Sequence, residues 1–395
     1  MLADEVARIT QKEARQHRAG VSLNGDWRDV MLLNLHSRLA QRVLLRVALA
    51  PYQTEDDIYA AAHAVPWENW FTTREWFRID ITANQCPLKS INFAALRVKD
   101  GLVDRFRDQT GERPSVDTHR PHVRIQVHLS ATDASLFLDT SGDPLFKRGW
   151  RQDKGDAPLK ETLAAALITA TGWDPLSGQA LYDPCCGSGT IAIEAAQMAC
   201  QIAPGLHRRF AFEKLMGFDR NLWLTCRKDA MARVRSPLHP VVFGSDGSHR
   251  MVDFAQRNAE RAGVAKALEL RGGDALQRMP PSPKAGVMLL NPPYGERIDV
   301  AGVAKGGANR RFQTQDSAPS GQDHENAAAF YSALAAHWKS HFDGWSAWVL
   351  SPDAKLPGLM RLKETRRLPV FNGPIECRLF RFDIQARKQQ PKTQP

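Results

Sequence analysis

Apolar residues recur along this chain in two rhythms, one before about residue 140 and one after it. Leu2, Val6 and Ile9 are spaced four and three apart, which predicts an amphipathic helix near the first residue. A second helix-like run covers 30–45. Strict alternation follows at 76–82 (WFRIDIT) and 122–130 (HVRIQVHLS), the signature of half-buried strands. The run SLFLDTS (135–141) comes after the turn residues 131–134, so 122–130 and 135–141 predict an antiparallel hairpin. Between the alternating runs, Phe93, Leu96, Val103 and Phe106 have helical spacing and predict a helix over 91–106. This first section is α+β.

Residues 141–158 (SGDPLFKRGWRQDKGDAP) are rich in Gly, Pro, Asp and basic side chains and read as a linker. Beyond them the order becomes apolar strand, Gly-rich turn, long helix, repeated. ETLAAALITATGW is a helix closed by Gly172, QALYDP a short strand and IAIEAAQMAC a helix of strong formers. VVFGSD and ALELRGGD are strands flanking the helix HRMVDFAQRNAERAG, and GVMLLNPPY and SAWVLSP are two more. Such alternation predicts a doubly wound, largely parallel sheet. Residues 301–326 carry almost no large apolar side chain and read as a loop, and 387–395 as a disordered tail. The expected layout is an N-terminal α+β region (1–155), an α/β domain (158–386) and the tail.

With 395 residues, 43% apolar and 24% charged, the chain is an ordinary globular protein of two or three domains. No run approaches the ~18 apolar residues of a membrane span, and the charged N-terminus lacks a signal peptide's apolar core, so a cytoplasmic protein is expected. None of the six cysteines forms a Cys-x-x-Cys pair, which argues against structural zinc; no metal is expected. The net charge of +10 admits a polyanionic partner. Residues 1–157 hold 22 Lys/Arg against 21 acids, so nearly all the excess lies in the second part.

The sharpest local signal is Asp183-Pro184-Cys185-Cys186-Gly187-Ser188-Gly189-Thr190, placed between a strand and a helix. Glycines there let a ligand approach the backbone, and the helix N-terminus favours negative charge. A third glycine of the nicotinamide fingerprint is missing, as is the Gly-Lys-Ser/Thr of a P-loop. An acid, three residues and Gly-x-Gly resembles the first motif of S-adenosylmethionine-dependent methyltransferases, in which Asp183, Pro184, Gly187 and Gly189 would line the methionine half of the cofactor. A second acid should end the next strand and meet the ribose hydroxyls. Asp219 and Asp246 compete, and Asp246 is preferred because it ends a β-branched strand and precedes an amphipathic helix. Residues 197–240 then form an insertion, with Asp219 a surface acid. Asp274, 28 residues past Asp246, lies where such enzymes place the acid that meets the adenine amine.

Asn291-Pro292-Pro293-Tyr294 ends the strand GVMLL. A nucleobase amine is a poor nucleophile because its lone pair is delocalised into the ring. The Asn291 amide oxygen and the Pro292 carbonyl could accept its N–H bonds and turn that lone pair toward an electrophilic methyl group. Proline fixes the backbone as the strand ends, and Tyr294 offers a face on which an extruded base can stack. Positioning and electrostatics would carry such a step without a metal or a nucleophilic residue.

Six segments together resemble a known family, the THUMP-containing guanine-N2 methyltransferases of 23S ribosomal RNA of the RlmL type. They are KRGWRQDKGDAPLKETLAAAL (147–167), DPCCGSGTIAIEAA (183–196), APGLHR (203–208), GSD (244–246), NPPYGER (291–297) and NGPIEC (372–377). The resemblance implies a class I, Rossmann-like methyltransferase domain preceded by a ferredoxin-like segment and a THUMP domain at about 28–141. It also implies S-adenosylmethionine as cofactor, 23S rRNA as partner, and Asp246 as the ribose acid. Relative to the family the N-terminal subdomain reads as partial, and a single methyltransferase unit implies one activity. A monomer is the simplest expectation.

The residues alone place RNA less firmly. Candidate surfaces are Arg113, His119, Arg120, His122 and Arg124; Lys147, Arg148, Arg151 and Lys154; and the 207–235 stretch, with eight Lys/Arg against three acids. Within the class, Asn-Pro-Pro-Tyr also serves adenine-N6 methylation of DNA and glutamine methylation of proteins, and THUMP-containing guanine-N2 methyltransferases of tRNA are the nearest alternative. Outside it stands a non-catalytic RNA chaperone.

Overall fold

A helix and a small hairpin lead the chain: α1 (Leu2–Thr10), then β1 (Arg15–His17) and β2 (Gly20–Ser22). The computed structural model describes residues 1–155, 159–292 and 321–385, with the side chains of 321–326 excepted. Next come α2 (Trp27–His36), β3 (Leu44–Pro51), α3 (Glu55–Ala64), β4 (Phe77–Ala83), α4 (Ile91–Thr110), β5 (Val123–Leu129) and β6 (Asp133–Asp139). The remainder holds α5 (Glu161–Thr171), β7 (Leu181–Asp183), α6 (Thr190–Ala199), α7 (Arg220–Ala232), β8 (Val242–Asp246), α8 (His249–Arg261) and β9 (Leu268–Gly272). It ends with β10 (Val287–Leu290), α9 (Gly321–His341), β11 (Ser346–Ser351), α10 (Leu356–Met360), β12 (Arg366–Asn372) and β13 (Ile375–Asp383).

The chain divides into two compact units, Met1–Arg148 with Ala203–Ala232, and Gly149–Ile202 with Arg233–Pro395. In the first, a four-stranded sheet runs β3-β6-β5-β4, with β4 and β5 parallel and the other pairs antiparallel. Alternation along β5 buries Val123, Ile125, Val127 and Leu129 and turns Arg124, Gln126 and His128 the other way. α3 and α4 approach closely because α4 has Gly101 at their crossing, where a Cβ would lie 2.5 Å from the Tyr59 carbonyl oxygen.

The helix expected over 30–45 stops at His36. Glu5 explains the break. Its carboxylate accepts from the Ser37 hydroxyl (2.6 Å) and from the Arg38 and Leu39 amides (2.9 and 3.2 Å), which leaves those amides no helical partner. Residues from Leu44 onward then pair as β3. The 197–240 stretch also differs from the expected insertion within the second domain, because Ala203–Ala232 belongs to the first unit. There Gly205 N–H donates to Leu35 (2.9 Å), Phe212 N–H to Thr140 (3.0 Å) and Met216 N–H to Trp70 (2.8 Å).

The second unit holds a seven-stranded sheet ordered β12-β13-β11-β10-β7-β8-β9. The five strands β9, β8, β7, β10 and β11 are parallel, and β13 runs antiparallel between β11 and β12. Met288, Leu290, Val349, Phe380 and Phe382 pack with Phe330, Leu334 and Trp338 of α9. Leu181, Leu289, Trp348 and Leu350 are buried and alternate to the opposite face. The sheet is thus covered on both sides, as a doubly wound fold requires. The expected loop 301–326 is shorter on its C-terminal side, since α9 begins at Gly321; residues 301–320 and the tail 387–395 lie outside the described residues.

Candidate active site

Strand order reverses between β7 and β10, and a crevice outside the carboxyl ends of the strands at such a point is where α/β folds bind ligands. Asp183 ends β7 one residue beyond Tyr182, and Asn291 follows β10 three residues beyond Met288, the partner of Tyr182. The two predicted motifs therefore flank one crevice.

After β7 the chain turns tightly into α6. Asp183 is 1% exposed, and its Oδ1 accepts the Cys185 amide at 3.1 Å. Gly187 has φ 52 and Gly189, which caps α6, has φ 89. A Cβ on Gly187 would meet nothing within 4 Å, so that backbone is open to a ligand. On Gly189 a Cβ would lie 3.0 Å from the Ala255 Cβ, so here the missing side chain lets α8 close against the turn. Pro184 is buried within the same turn, its carbonyl accepting from the Ser245 hydroxyl at 3.5 Å.

Asp246 ends β8. Its Oδ2 accepts from the Gly187 amide and its Oδ1 from the Ser248 amide, both at 2.9 Å. Asp274 follows β9 and accepts the Leu276 amide at 2.9 Å. All three acids bear on the Cys185 thiol: burial first, then the charges of Asp183, Asp246 and Asp274, push it well above its usual range. Burial, with Asp246 adding to it and the Cys185 amide opposing, pushes Asp183 up to about 8. Burial likewise raises Asp246 against its two amide donors. The two desolvated carboxyls, Asp183 and Asp246, suit a ligand bearing positive charge and hydroxyl or amine donors.

Across the crevice, the Asn291 Oδ1 is buried and has no hydrogen-bond donor among the described residues. A buried carbonyl oxygen without a donor is costly and suits one supplied by a substrate. Pro292 is buried beside it, and Pro293 and Tyr294 lie outside the described residues. Asp219 belongs to the first unit, where its Oδ1 caps α7 by accepting the Asn221 and Leu222 amides (2.8 and 3.0 Å).

Of the expected basic surface at 147–154, the two arginines turn inward, while Lys147 and Lys154 stay exposed. Arg148 is buried and donates to the Leu145 and Arg38 carbonyls (2.7 and 2.8 Å), and half-buried Arg151 pairs with Glu161 at 3.2 Å. Arg208 spends its guanidinium on the carbonyls of Asp143, Pro144 and Lys147. A different basic surface emerges in the first unit. The β1–β2 hairpin and the open face of the four-stranded sheet enclose about 1090 Å³, lined by Arg15, His17, Arg18, Arg46, His128 and Phe137 among others. Among the described residues Arg15, Arg18 and Arg46 have no acidic partner, whereas Lys12 pairs with Asp26 and Asp29. Arg15 and Arg18 come from one hairpin and Arg46 from β3, and nothing in the sequence announces that they share a surface.

Known proteins match along the whole chain. A methyltransferase domain described as RMKL-like matches residues 148–305, a THUMP domain 52–139 and an RlmL ferredoxin-like domain 1–44. The ribosomal RNA large subunit methyltransferase K/L of Psychromonas ingrahamii is 34% identical over 100% of this chain and 50% of its own length. The chain spans about half the length of the curated relatives it matches. Among solved structures, one described as a "predicted N6-adenine-specific DNA methylase" from Listeria monocytogenes aligns with TM-score 0.82 and 27% identity, covering 97% of this chain and 92% of that one. SMU.472, assigned as a methyltransferase and complexed with SAH, aligns with TM-score 0.82 and 25% identity over 98% and 96% of the two chains.

Proposed function

The chain belongs to the THUMP-containing methyltransferases of the RlmL type, and on that premise we propose that it methylates the exocyclic N2 of a guanine in 23S ribosomal RNA. S-adenosylmethionine is the methyl donor, and SMU.472, similar over nearly the whole chain, holds the demethylated form SAH. Bound in the crevice, the cofactor supplies an electrophilic sulfonium methyl group. Asp183 and the Pro184–Gly189 turn hold its methionine half, Asp246 the ribose and Asp274 the adenine amine. That assignment gives the two desolvated carboxyls, Asp183 and Asp246, a donor or cation that relieves them.

The observation that carries the reaction type is the buried Oδ1 of Asn291, which has no donor among the described residues. Asn291 accepts one N–H of the guanine amine and the Pro292 carbonyl accepts the other. Together they draw the nitrogen out of ring conjugation and aim its lone pair into the crevice. The bond to Asn291 strengthens as the nitrogen gains positive charge, so it stabilises the transition state more than the bound substrate. The surplus proton leaves to water after transfer. Pro293 and Tyr294 complete the motif, with Tyr294 stacking on the extruded base.

The groove between the β1–β2 hairpin and the four-stranded sheet is the RNA-holding surface of this reading. Arg15, Arg18 and Arg46, without an acidic partner among the described residues, suit phosphates, and Phe137 suits a base face. The test is nucleoside analysis of 23S rRNA incubated with the protein and S-adenosylmethionine. N2-methylguanosine is expected from wild type. Asn291→Ala should lower the rate ~100–1,000-fold, the loss typical of one preorganised polar group, and leave SAH affinity unchanged. N6-methyladenosine would instead favour the adenine reading carried by the Listeria relative's description. Product in tRNA alone would move the substrate, and no product with intact SAH binding would leave an RNA chaperone.

A further inference from the structure

α8 has an apolar stripe, Val252, Ala255 and Ala259, and within it stands a polar residue of zero exposure, Asn258. Its Nδ2 donates to the Ser188 carbonyl at 3.0 Å and to the Asp153 carbonyl at 2.8 Å. Its Oδ1 accepts from the Gln152 and Asp153 amides at 3.2 and 3.3 Å and from the Arg261 guanidinium. Both ends of one side-chain amide are therefore committed, one of them to the Gly-rich turn. One helical turn earlier, Ala255 meets Gly189 in the same turn. At the N-terminal end of α8 stand Ser248, its N-cap, and Asp246, bound to the Gly187 amide.

The segment Trp150–Asp153 closes the arrangement from outside. Arg261 binds the Trp150 carbonyl (2.9 Å), Asp153 pairs with Arg257 and Arg261, and Arg151 reaches the Thr190 hydroxyl at 3.0 Å. We infer that Asn258 is a positioning residue for the cofactor: it ties the Ser188 carbonyl to the 150–153 strap and so holds the turn in its cofactor-binding shape. The residue touches no ligand and acts through the turn. The inference rests on the reading of the crevice as a cofactor site, but not on which base is methylated.

The experiment uses SAH calorimetry and amide hydrogen exchange on the full chain. Asn258→Asp keeps size and acceptors but sets an oxygen against two carbonyls. It should weaken SAH binding roughly tenfold or more and raise the KM for S-adenosylmethionine, while kcat at saturating cofactor and the KM for RNA stay near wild type. Gln256→Ala, at an exposed position of the same helix with no bond to the strap among the described residues, should bind SAH as wild type does. The wild-type protein gives a reading that no variant's folding can spoil. SAH should slow exchange of the Gln152 and Asp153 amides, which are linked to the Ser188 carbonyl through the Asn258 side chain. Unchanged SAH affinity in Asn258→Asp, or no added protection at those amides, overturns the inference. Failure of wild type to bind SAH at all would overturn the cofactor reading itself.

Discussion

Asp246 Oδ2 holds the Gly187 amide at 2.9 Å, so the acid ending β8 organises the turn that follows β7. Two elements of the crevice far apart in sequence are thereby one hydrogen-bonded unit. Residues that share such a bond do not act independently, and changes at either should be non-additive.

Asp246 and Asp219 separate affinity from stability. Asp246→Ala should weaken SAH binding ~10-fold or more, since charged hydrogen bonds contribute ~1.5–3 kcal/mol. Asp219→Ala removes the cap of α7 and should cost about 1 kcal/mol of stability with SAH affinity unchanged. Calorimetry and thermal melts on both variants check the pair. A stronger affinity loss in Asp219→Ala would refute the placement of the ribose acid.

Two glycines of one turn should fail in opposite ways. Gly189→Ala combines φ 89 with a Cβ 3.0 Å from Ala255, so a stability loss of ~1–3 kcal/mol is expected. Gly187→Ala, with φ 52 and open space around the new methyl group, should cost ~1–2 kcal/mol at most. Its methyl would stand where the cofactor approaches, so SAH affinity should fall more than Tm. The reverse ranking would mean the cofactor does not approach Gly187.

The raised Asp183 gives a pH dependence with a definite sign. Its folded value of about 8 lies above the ordinary 3.8, so the folded state holds a proton that the unfolded chain releases. Its contribution is complete below about pH 4 and is lost as pH rises through 8. Asp246, also raised, acts in the same direction. The ligand-free protein should therefore lose Tm between pH 5 and 8.5 relative to Asp183→Asn, and the Tm gain on adding SAH should grow over that range. Parallel Tm profiles for wild type and Asp183→Asn would contradict the raised value.

Replacing Arg15, Arg18 and Arg46 together by Ala should weaken RNA binding and flatten its salt dependence by about two to three in the log–log slope, as loss of roughly three phosphate contacts requires. SAH affinity should not move. Salt titrations of binding to a 23S rRNA fragment read this directly, and an unaltered slope would place the RNA elsewhere.

Much of the second unit is legible in sequence because its strands and helices alternate in local patterns, and GSD, NPPY and the Gly-rich turn each mark a strand's end. The hairpin β5–β6 is legible for the same reason. What the sequence hides is long-range. The apolar spacing of α2 runs on through Leu39, Val43 and Leu45, and only Glu5, more than thirty residues away, shows why the helix stops. α3 is announced by Thr54 and Asp57, a capping box that reading for apolar rhythm passes over. The start of α9 escapes because its apolar stripe begins only near Phe330. Asn258 could be noticed as a polar residue on an apolar stripe, but its partners at 152, 153 and 188 could not.

The excursion at Ala203–Ala232 also governs the order in which the protein can be made. A nascent chain ending at Arg148 lacks the segment whose amides meet Leu35, Thr140 and Trp70. By the time Ala232 is synthesised, β7 and α6 of the second unit are already out, while β8 and every later strand of its sheet are still to come. Neither unit can mature wholly before the other has begun. No single cut in the chain separates the two units intact: a cut after Arg148 must be joined by two more around Ala203–Ala232.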